Sequence, residues 1–390
     1  MKEYDEYGFL QAVLEIPSVN GADDEGAVAR FLCDFLRDCG VDSQVIPIDD
    51  SHADVIANIK GESEDLVVLN GHLDTVPYGK REEWDTPPER CVRKNNRFYA
   101  RGASDMKSGL AAMVYVLGTM VKAGCSPRMN LCFMGTCDEE KGGLGARKIL
   151  QENRMPQPSL LLIGEPTGLK PGVAQKGCMW IELTVDGVTS HGAYPDEGIN
   201  AVEYGMDIAR EFKEKIGSHS HGILGTATVQ VTKIQGGIAP NMTPDRAEIF
   251  MDVRTVPGME PEDVVKMLED VCSRRFKRCP GRGGYHYNVV NQRRAIEIEG
   301  SHPWVAEFDE VLKQMGLSTQ RVGINYFTDA SILTEYNHSM PVLLLGPGEP
   351  SLCHKPNEYV ELEKYSKYVY IMKKSFLRLL KMIEISYNQR

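Results

Sequence analysis

Gly71-His72-Leu73-Asp74-Thr75-Val76-Pro77 stands just after the apolar run Leu66 to Leu69 and opens a segment rich in proline, glycine and charge that reaches Pro88. The run is short enough to be a strand buried on both faces, and the polar segment after it is a loop. A histidine and an aspartate therefore sit where a strand ends, and in open α/β sheets ligands bind outside the carboxyl ends of the strands. Side chains two apart on an extended backbone face the same way, so Asp74 can accept the second ring N–H of His72 while the other nitrogen holds a metal. Taken alone, the pair reads equally as a satisfied polar contact.

The chain has 390 residues, more than one hydrophobic core usually supports, so two domains are expected. Its formal charge is −11 with Lys and Arg dispersed, which argues against a nucleic-acid partner. The start, Met1-Lys2-Glu3-Tyr4-Asp5-Glu6-Tyr7, is acidic where a targeting segment needs a basic and then an apolar run. The longest apolar stretch, around Leu110 to Val121, is too short to span a bilayer and reads as a core helix, so no membrane partner is expected. The 10 cysteines lack CxxC spacing; free thiols in a reducing cytoplasm are the expectation, and Cys353 beside His354 reads as a small buried hydrophobe.

Helical spacing of apolar residues from Asp5 to Cys39, broken at Pro17 to Gly21, predicts two helices. Short strands follow at Asp42 to Pro47, Asp54 to Ile59 and Leu66 to Leu69. Arg101-Gly102-Ala103-Ser104-Asp105-Met106-Lys107-Ser108-Gly109 leads into the helix Leu110 to Ala123, which places Asp105 at a helix start, where by itself it reads as an N-cap. The run Met129 to Gly135 ends in Cys137-Asp138-Glu139-Glu140, and Leu160 to Ile163 ends in Gly164-Glu165. An acidic cluster is usually a solvated face. Here, though, His72 with Asp74, Asp105, Glu139 with Glu140, and Glu165 all fall at predicted strand ends. Further on, the buried strand Val342 to Leu345 is followed by a loop histidine, His354, which repeats the arrangement at His72.

Between these parts the pattern changes. From Trp180 the residues alternate as in a half-buried antiparallel strand, a helix is predicted from Asn200 to Lys215, strands at Thr226 to Gln235 and Ala247 to Arg254, and a helix at Pro261 to Phe276. This order predicts an α+β insert over residues 178–289 within a discontinuous domain of residues 1–177 and 290–390. Helices are also predicted at Pro303 to Met315, near Asn325 to Ser331, and from Glu361 to Ile385.

Two imidazoles and several carboxylates at strand ends suit zinc or cobalt, and a bridging carboxylate would let them hold a pair of ions. Hydrolysis also needs a carboxylate left free to move a proton, and the neighbours Glu139 and Glu140 diverge, so one can ligate while the other acts as base. GxGxxG, Walker, HExxH and GxSxG patterns are all missing.

The motifs Gly71 to Pro77, Arg101 to Lys107, Asp138 to Glu140, Gly164 to Thr167, Ser190-His191-Gly192-Ala193 and the late His354 resemble, in order and over essentially the full length, the co-catalytic zinc amidohydrolases and peptidases. That family includes acetylornithine deacetylase, succinyl-diaminopimelate desuccinylase, aminoacylases, glutamate carboxypeptidases and several dipeptidases. The resemblance implies a mixed-sheet α/β catalytic domain of the di-zinc aminopeptidase type with an inserted ferredoxin-like lid and dimerisation domain. It implies two divalent metal ions, zinc with cobalt as the alternative, bridged by Asp105. His72 and Glu165 would complete one site, Glu140 and His354 the other, with Glu139 as base and Asp74 orienting His72. His191, which by itself reads as an exposed loop residue, would reach a partner subunit's site and stabilise the oxyanion. Asn241, Arg254 and Thr328 match substrate-binding positions, and an arginine fork suits a carboxylate. Segment 325–330 resembles the acetylornithine deacetylases more than the desuccinylases. Ser108 departs from the glycine of many members without replacing a ligand.

The function expected is that of a cytoplasmic homodimeric deacylase cleaving the amide of an N-acyl amino acid or similar small carboxylate. A dipeptidase or carboxypeptidase would use the same metals on a peptide bond, and a metal-dependent binding protein without catalysis is the rival from another class.

Overall fold

The computed structural model describes residues 3–277 and 281–376. The chain divides into two compact units, one of Met1–Val173, Ile298–Val322 and Thr328–Arg390, the other of Ala174–Glu297 with Gly323–Phe327. The short run 323–327, read from the sequence with the outer domain, belongs to the second unit.

The first unit is built on a mixed sheet whose strands lie in the order Asp42–Pro47, Ala53–Ile59, Met129–Thr136, Ser63–His72, Leu160–Ile163 and Val342–Leu344. The first two pair antiparallel and Ala53–Ile59 pairs antiparallel with Met129–Thr136, while the next three pairings are all parallel. Parallel strands are covered on both faces, and this is why their apolar residues run without alternation. Val67 and Leu69 join the cluster that includes Phe9, Leu32, Leu110 and Tyr368, while Val68 and Leu161 are as fully buried outside it. The helix Lys107–Lys122, nearly all buried, packs against Glu6–Leu14 and Leu362–Phe376. A Cβ on Gly109 in this helix would collide with the carbonyl oxygen of Gly164, so only glycine allows the helix this close to the turn that carries Glu165. The closing helix is described for Leu362–Phe376; the rest of the stretch predicted to reach Ile385 lies outside the described residues.

A small antiparallel sheet of Val92–Lys94, Arg97–Tyr99 and Tyr359–Glu361 was not read from the sequence. It lays residue 358 beside residue 100, with the Ala100 N–H donating to the Glu358 carbonyl at 3.2 Å.

The second unit has a four-stranded antiparallel sheet, Thr228–Gly236, Arg246–Thr255, Gly177–Asp186 and Gly284–Arg293 in spatial order. With the helices Ala201–Gly217 and Pro261–Phe276 the chain order is βαββαβ, a split βαβ arrangement. Alternation along the first of these strands in the chain is explained by a single covered face: Ile181, Leu183 and Val185 are fully buried, and Glu182 is exposed. Asn200 caps the first helix, its Oδ1 accepting from the N–H groups of Val202 and Glu203.

Candidate metal centre

The parallel register brings the expected ligands to one edge. His72 is the last residue of its strand and lies opposite Thr136, three residues before Glu139; Asn70 lies opposite Ile163, two before Glu165. Asp105 departs from the expectation: no strand of the main sheet ends there. It sits in a turn before the helix that begins at Lys107, and the N-cap of that helix is Met106, with no side-chain cap. The N-cap reading of Asp105 thus fails, and its carboxylate is turned to other partners. His354 lies beyond the strand Val342–Leu344, after a single 3₁₀ turn at Pro350–Leu352.

Asp105 Oδ1 is 3.2 Å from His72 Nε2, and Asp105 Oδ2 is 3.4 Å from His354 Nε2. On the His72 side, Glu165 Oε1 is 3.9 Å from Nε2; on the His354 side, Glu140 Oε2 is 3.0 Å from Nε2. Ligand atoms of His72, Asp105 and Glu140 lie within 4.8 Å of one another. One carboxylate thus faces two imidazoles, each with a second carboxylate beside it. Glu139, also buried, makes no side-chain hydrogen bond among the described residues and stands free next to its engaged neighbour Glu140.

The electrostatics call for a cation. Burial drives the Glu165 carboxyl well above its ordinary range, and the Asp105 charge adds to this. Burial raises Glu139 likewise, against the pull of His72 and with the push of Glu140. Burial works against charge on His72, but bonds to Asp105 and Asp74 hold it well above the usual imidazole value, and bonds to Asp105 and Glu140 raise His354 to about 10. Glu165 Oε2 is buried without a hydrogen-bond partner, as a carboxylate would be that is shaped for an ion rather than a donor. The donor set of two imidazoles and oxygen ligands fits borderline divalent metals.

Asp74 faces His72 Nδ1 with both its backbone carbonyl and its carboxylate. The nearest acceptor to His72 Nδ1 is the Asp74 backbone carbonyl at 2.9 Å, with the carboxylate oxygen at 3.6 Å. The carboxylate also accepts the backbone N–H groups of Glu139 and Glu140 at 3.1 and 3.0 Å and the Asn20 amide at 3.1 Å. Neighbouring loops are held in the same manner. Asp54 accepts the Cys137 N–H, Glu25 accepts the Asp138 N–H, and Asn20 also donates to Asp138. Burial pushes Asp54 to about 7, and burial with the Asp74 charge pushes Glu25 to about 8. Lys107, buried and donating to the Ile16 carbonyl, is pushed down to about 8 by desolvation. None of Asn20, Glu25, Asp54 or Lys107 was singled out from the sequence. The acid and amide in the Pro17 to Glu25 break between two helices were the signal that was there. Cys353 is half-buried, and desolvation pushes its thiol up.

Thr328, in the first unit, is fully buried, and its Oγ1 accepts from the Ala330 N–H at the short helix Ala330–Leu333. His191, Asn241 and Arg254 belong to the second unit. His191 and Asn241 are brought together: the Gly192 N–H donates to the Asn241 carbonyl at 2.8 Å, and His191 bridges to Met242. Arg254 Nε and Nη2 donate to Asp252 at 2.7 and 3.0 Å, and the guanidinium lies 5.8 Å over the Phe327 ring.

The chain matches the model of Peptidase family M20/M25/M40 over residues 68–378. It is 26% identical over 416 residues to a probable succinyl-diaminopimelate desuccinylase of Staphylococcus epidermidis, with 96% of this chain and 98% of that protein covered. It is 30% identical over 369 residues to an acetylornithine deacetylase of Vibrio campbellii, with 92% and 93% covered. Among solved structures, a tripeptidase from Staphylococcus aureus superposes with a TM-score of 0.76 at 21% identity, over 95% of this chain and 97% of that one, which shows a common fold. Most of the chain fits the family model and nearly its full length aligns with relatives that carry the family's activities, so it belongs to Peptidase family M20/M25/M40 and is a hydrolase of amide bonds.

Proposed function

We propose that the chain is a deacylase of N-acyl amino acids that works with two divalent ions, zinc or cobalt. The observation that carries this reading is the division of Asp105 between His72 and His354, each with its own further carboxylate. When bound, such a pair of ions polarises a carbonyl and lowers the pKa of a coordinated water. His72 donates Nδ1–H to the Asp74 carbonyl, which leaves the Nε2 lone pair for a ligand role. Glu139 takes the proton of the attacking water and delivers it to the leaving amine; burial, which raises its pKa, makes it the better acid for the second half of that task.

His191, Asn241 and Arg254 are assigned to the substrate and the oxyanion, and the second unit to a lid through which two subunits associate. Arg254, oriented by Asp252, is assigned to the substrate's carboxylate. Cytoplasmic residence is proposed as well; no described helix is long and apolar enough to cross a membrane. The two relatives named above by sequence are a probable desuccinylase and a deacetylase, which favours an acyl group of that kind over a second amino acid; the tripeptidase, at 21% identity, shares the fold. Side-by-side turnover of N-acetyl amino acids, N-succinyl amino acids and dipeptides, with and without chelator and with zinc or cobalt restored, tests the reading. Hydrolysis of dipeptides alone would replace it with a dipeptidase, and turnover indifferent to chelator would refute the metal assignment.

A further inference from the structure

Glu358 stands outside every role assigned so far, yet it is fully buried and its carboxylate accepts from four donors. Its Oε1 accepts the backbone N–H groups of Ser104 at 2.7 Å and Asp105 at 2.9 Å. Its Oε2 accepts the Gly102 N–H at 3.2 Å and Arg101 Nη1 at 2.7 Å. Three amides of one loop and a guanidinium thus converge on one acid, and the last amide belongs to the residue whose side chain faces both histidines.

Arg101 carries the connection further. Its Nη1 also donates to the Lys355 carbonyl at 3.1 Å, next to His354, and its Nη2 to the Pro77 carbonyl at 3.2 Å, at the end of the heptapeptide that holds His72. The guanidinium lies 5.0 Å over the Trp84 ring, which limits its freedom to swing away. The pair therefore ties the three loops 71–77, 101–105 and 354–358 to one another at a buried ion pair behind the ligands. A planar fork with several fixed donors can hold three acceptors in one geometry, which a lysine cannot.

We infer that Glu358 and Arg101 are positioning residues that set the distance between the two halves of the ligand set, with His354 the ligand that depends on them most. His72 sits 2% exposed at the end of a central strand and is anchored by Asp74, whereas the His354 side chain is 54% exposed in a loop. Loosening the clamp lets Asp105 and His354 drift apart while His72 and Glu165 keep their places. The inference rests on the two-ion reading above.

The test is competition of the purified chain against a graded chelator for zinc, in wild type, Glu358→Gln and Arg101→Lys, with thermal midpoints recorded for each. Wild type should hold two ions. The amide introduced by Glu358→Gln keeps one acceptor oxygen for Ser104 and Asp105 but turns an NH₂ toward Arg101 and Gly102. Both variants should release one of the two ions about 10–100-fold more readily, the usual cost of losing a partner behind the ligands, while the other stays within a few-fold of wild type. Arg101→Lys keeps the charge and the amide clamp, so it guards against a Glu358→Gln that fails to fold. Two ions held as tightly as in wild type by either variant, or both ions weakened equally in step with the thermal midpoint, would overturn the positioning role. A wild type that binds only one ion would overturn the two-ion reading instead, and this inference with it.

Discussion

Asp54 gives the most direct measure of what the buried acids behind the candidate ligand loops cost the fold. It is fully buried, accepts the Cys137 N–H at 3.0 Å through Oδ1, and has no partner on Oδ2. Burial pushes its carboxyl from 3.8 to about 7. The folded chain therefore holds this proton more tightly than the unfolded chain. Its contribution to stability is fully present below pH 3.8 and is lost as the pH rises through 7. About three pKa units at 1.36 kcal/mol each set an upper figure of about 4 kcal/mol, lost over that window. Asp54→Asn imitates the protonated acid at every pH. Near pH 4 the variant and wild type should be about equally stable, and by pH 8 the variant should lead by roughly 2–4 kcal/mol. The assay is urea unfolding of the chelator-treated protein from pH 4 to 8.5, following the transition of the unit that contains Asp54. Other acids titrate in both proteins, so the difference between the two curves isolates this residue. A difference that stays flat across that range would refute the reasoning.

Three further outcomes are expected. Glu139→Gln should lower kcat by roughly 10²–10⁴ with zinc content and KM little changed, and an intact rate would remove Glu139 from the role of base. His191→Ala should lower kcat by about 10²–10³. Mixing it with Glu139→Gln subunits should recover activity, because one composite site would then be whole; no recovery on subunit exchange would show that His191 does not act across subunits. Ser108→Ala should raise the thermal midpoint by the equivalent of about 1 kcal/mol, since Ser108 Oγ is buried in a helix without a partner; a lower midpoint would show that the hydroxyl is bonded in solution.

The residues legible in the sequence were those whose position follows from an apolar run. Leu66 to Leu69, Met129 to Gly135 and Leu160 to Ile163 announce buried strands, and parallel pairing then forces His72, Glu139, Glu140 and Glu165 to one edge. Asp105 was found for a different reason than the one given, since it hangs on a turn that the main sheet does not shape. The part played by the Asp74 backbone carbonyl had no signal in the sequence: the strand ends at His72 and the chain turns, which brings that carbonyl nearer to Nδ1 than the carboxylate. Glu358 and Asp54 were invisible, and Asn20 and Glu25 marked only by lying in the break between two helices, for a common reason: each binds backbone N–H groups or the acids that do, and such a bond leaves no mark on the sequence of the loop it holds. Ser108, which departs from the family's glycine without replacing a ligand, carries an unpartnered buried hydroxyl that only packing reveals.

The place of Val342–Leu344 in the sheet has a consequence for synthesis. This strand pairs with Leu160–Ile163, yet the ribosome reaches it only after about 180 further residues, roughly 10–40 s at usual elongation rates. During that interval Leu160, Leu161, Leu162 and Ile163, all buried in the finished protein, form an open apolar edge, the kind of surface that recruits a foreign strand. The second unit, whose four-stranded sheet pairs only within itself, can complete that sheet in the meantime. Chains truncated before Val342 should therefore combine a sound second unit with a sticky first one, and a holdase chaperone would be needed most while the chain is between those two strands.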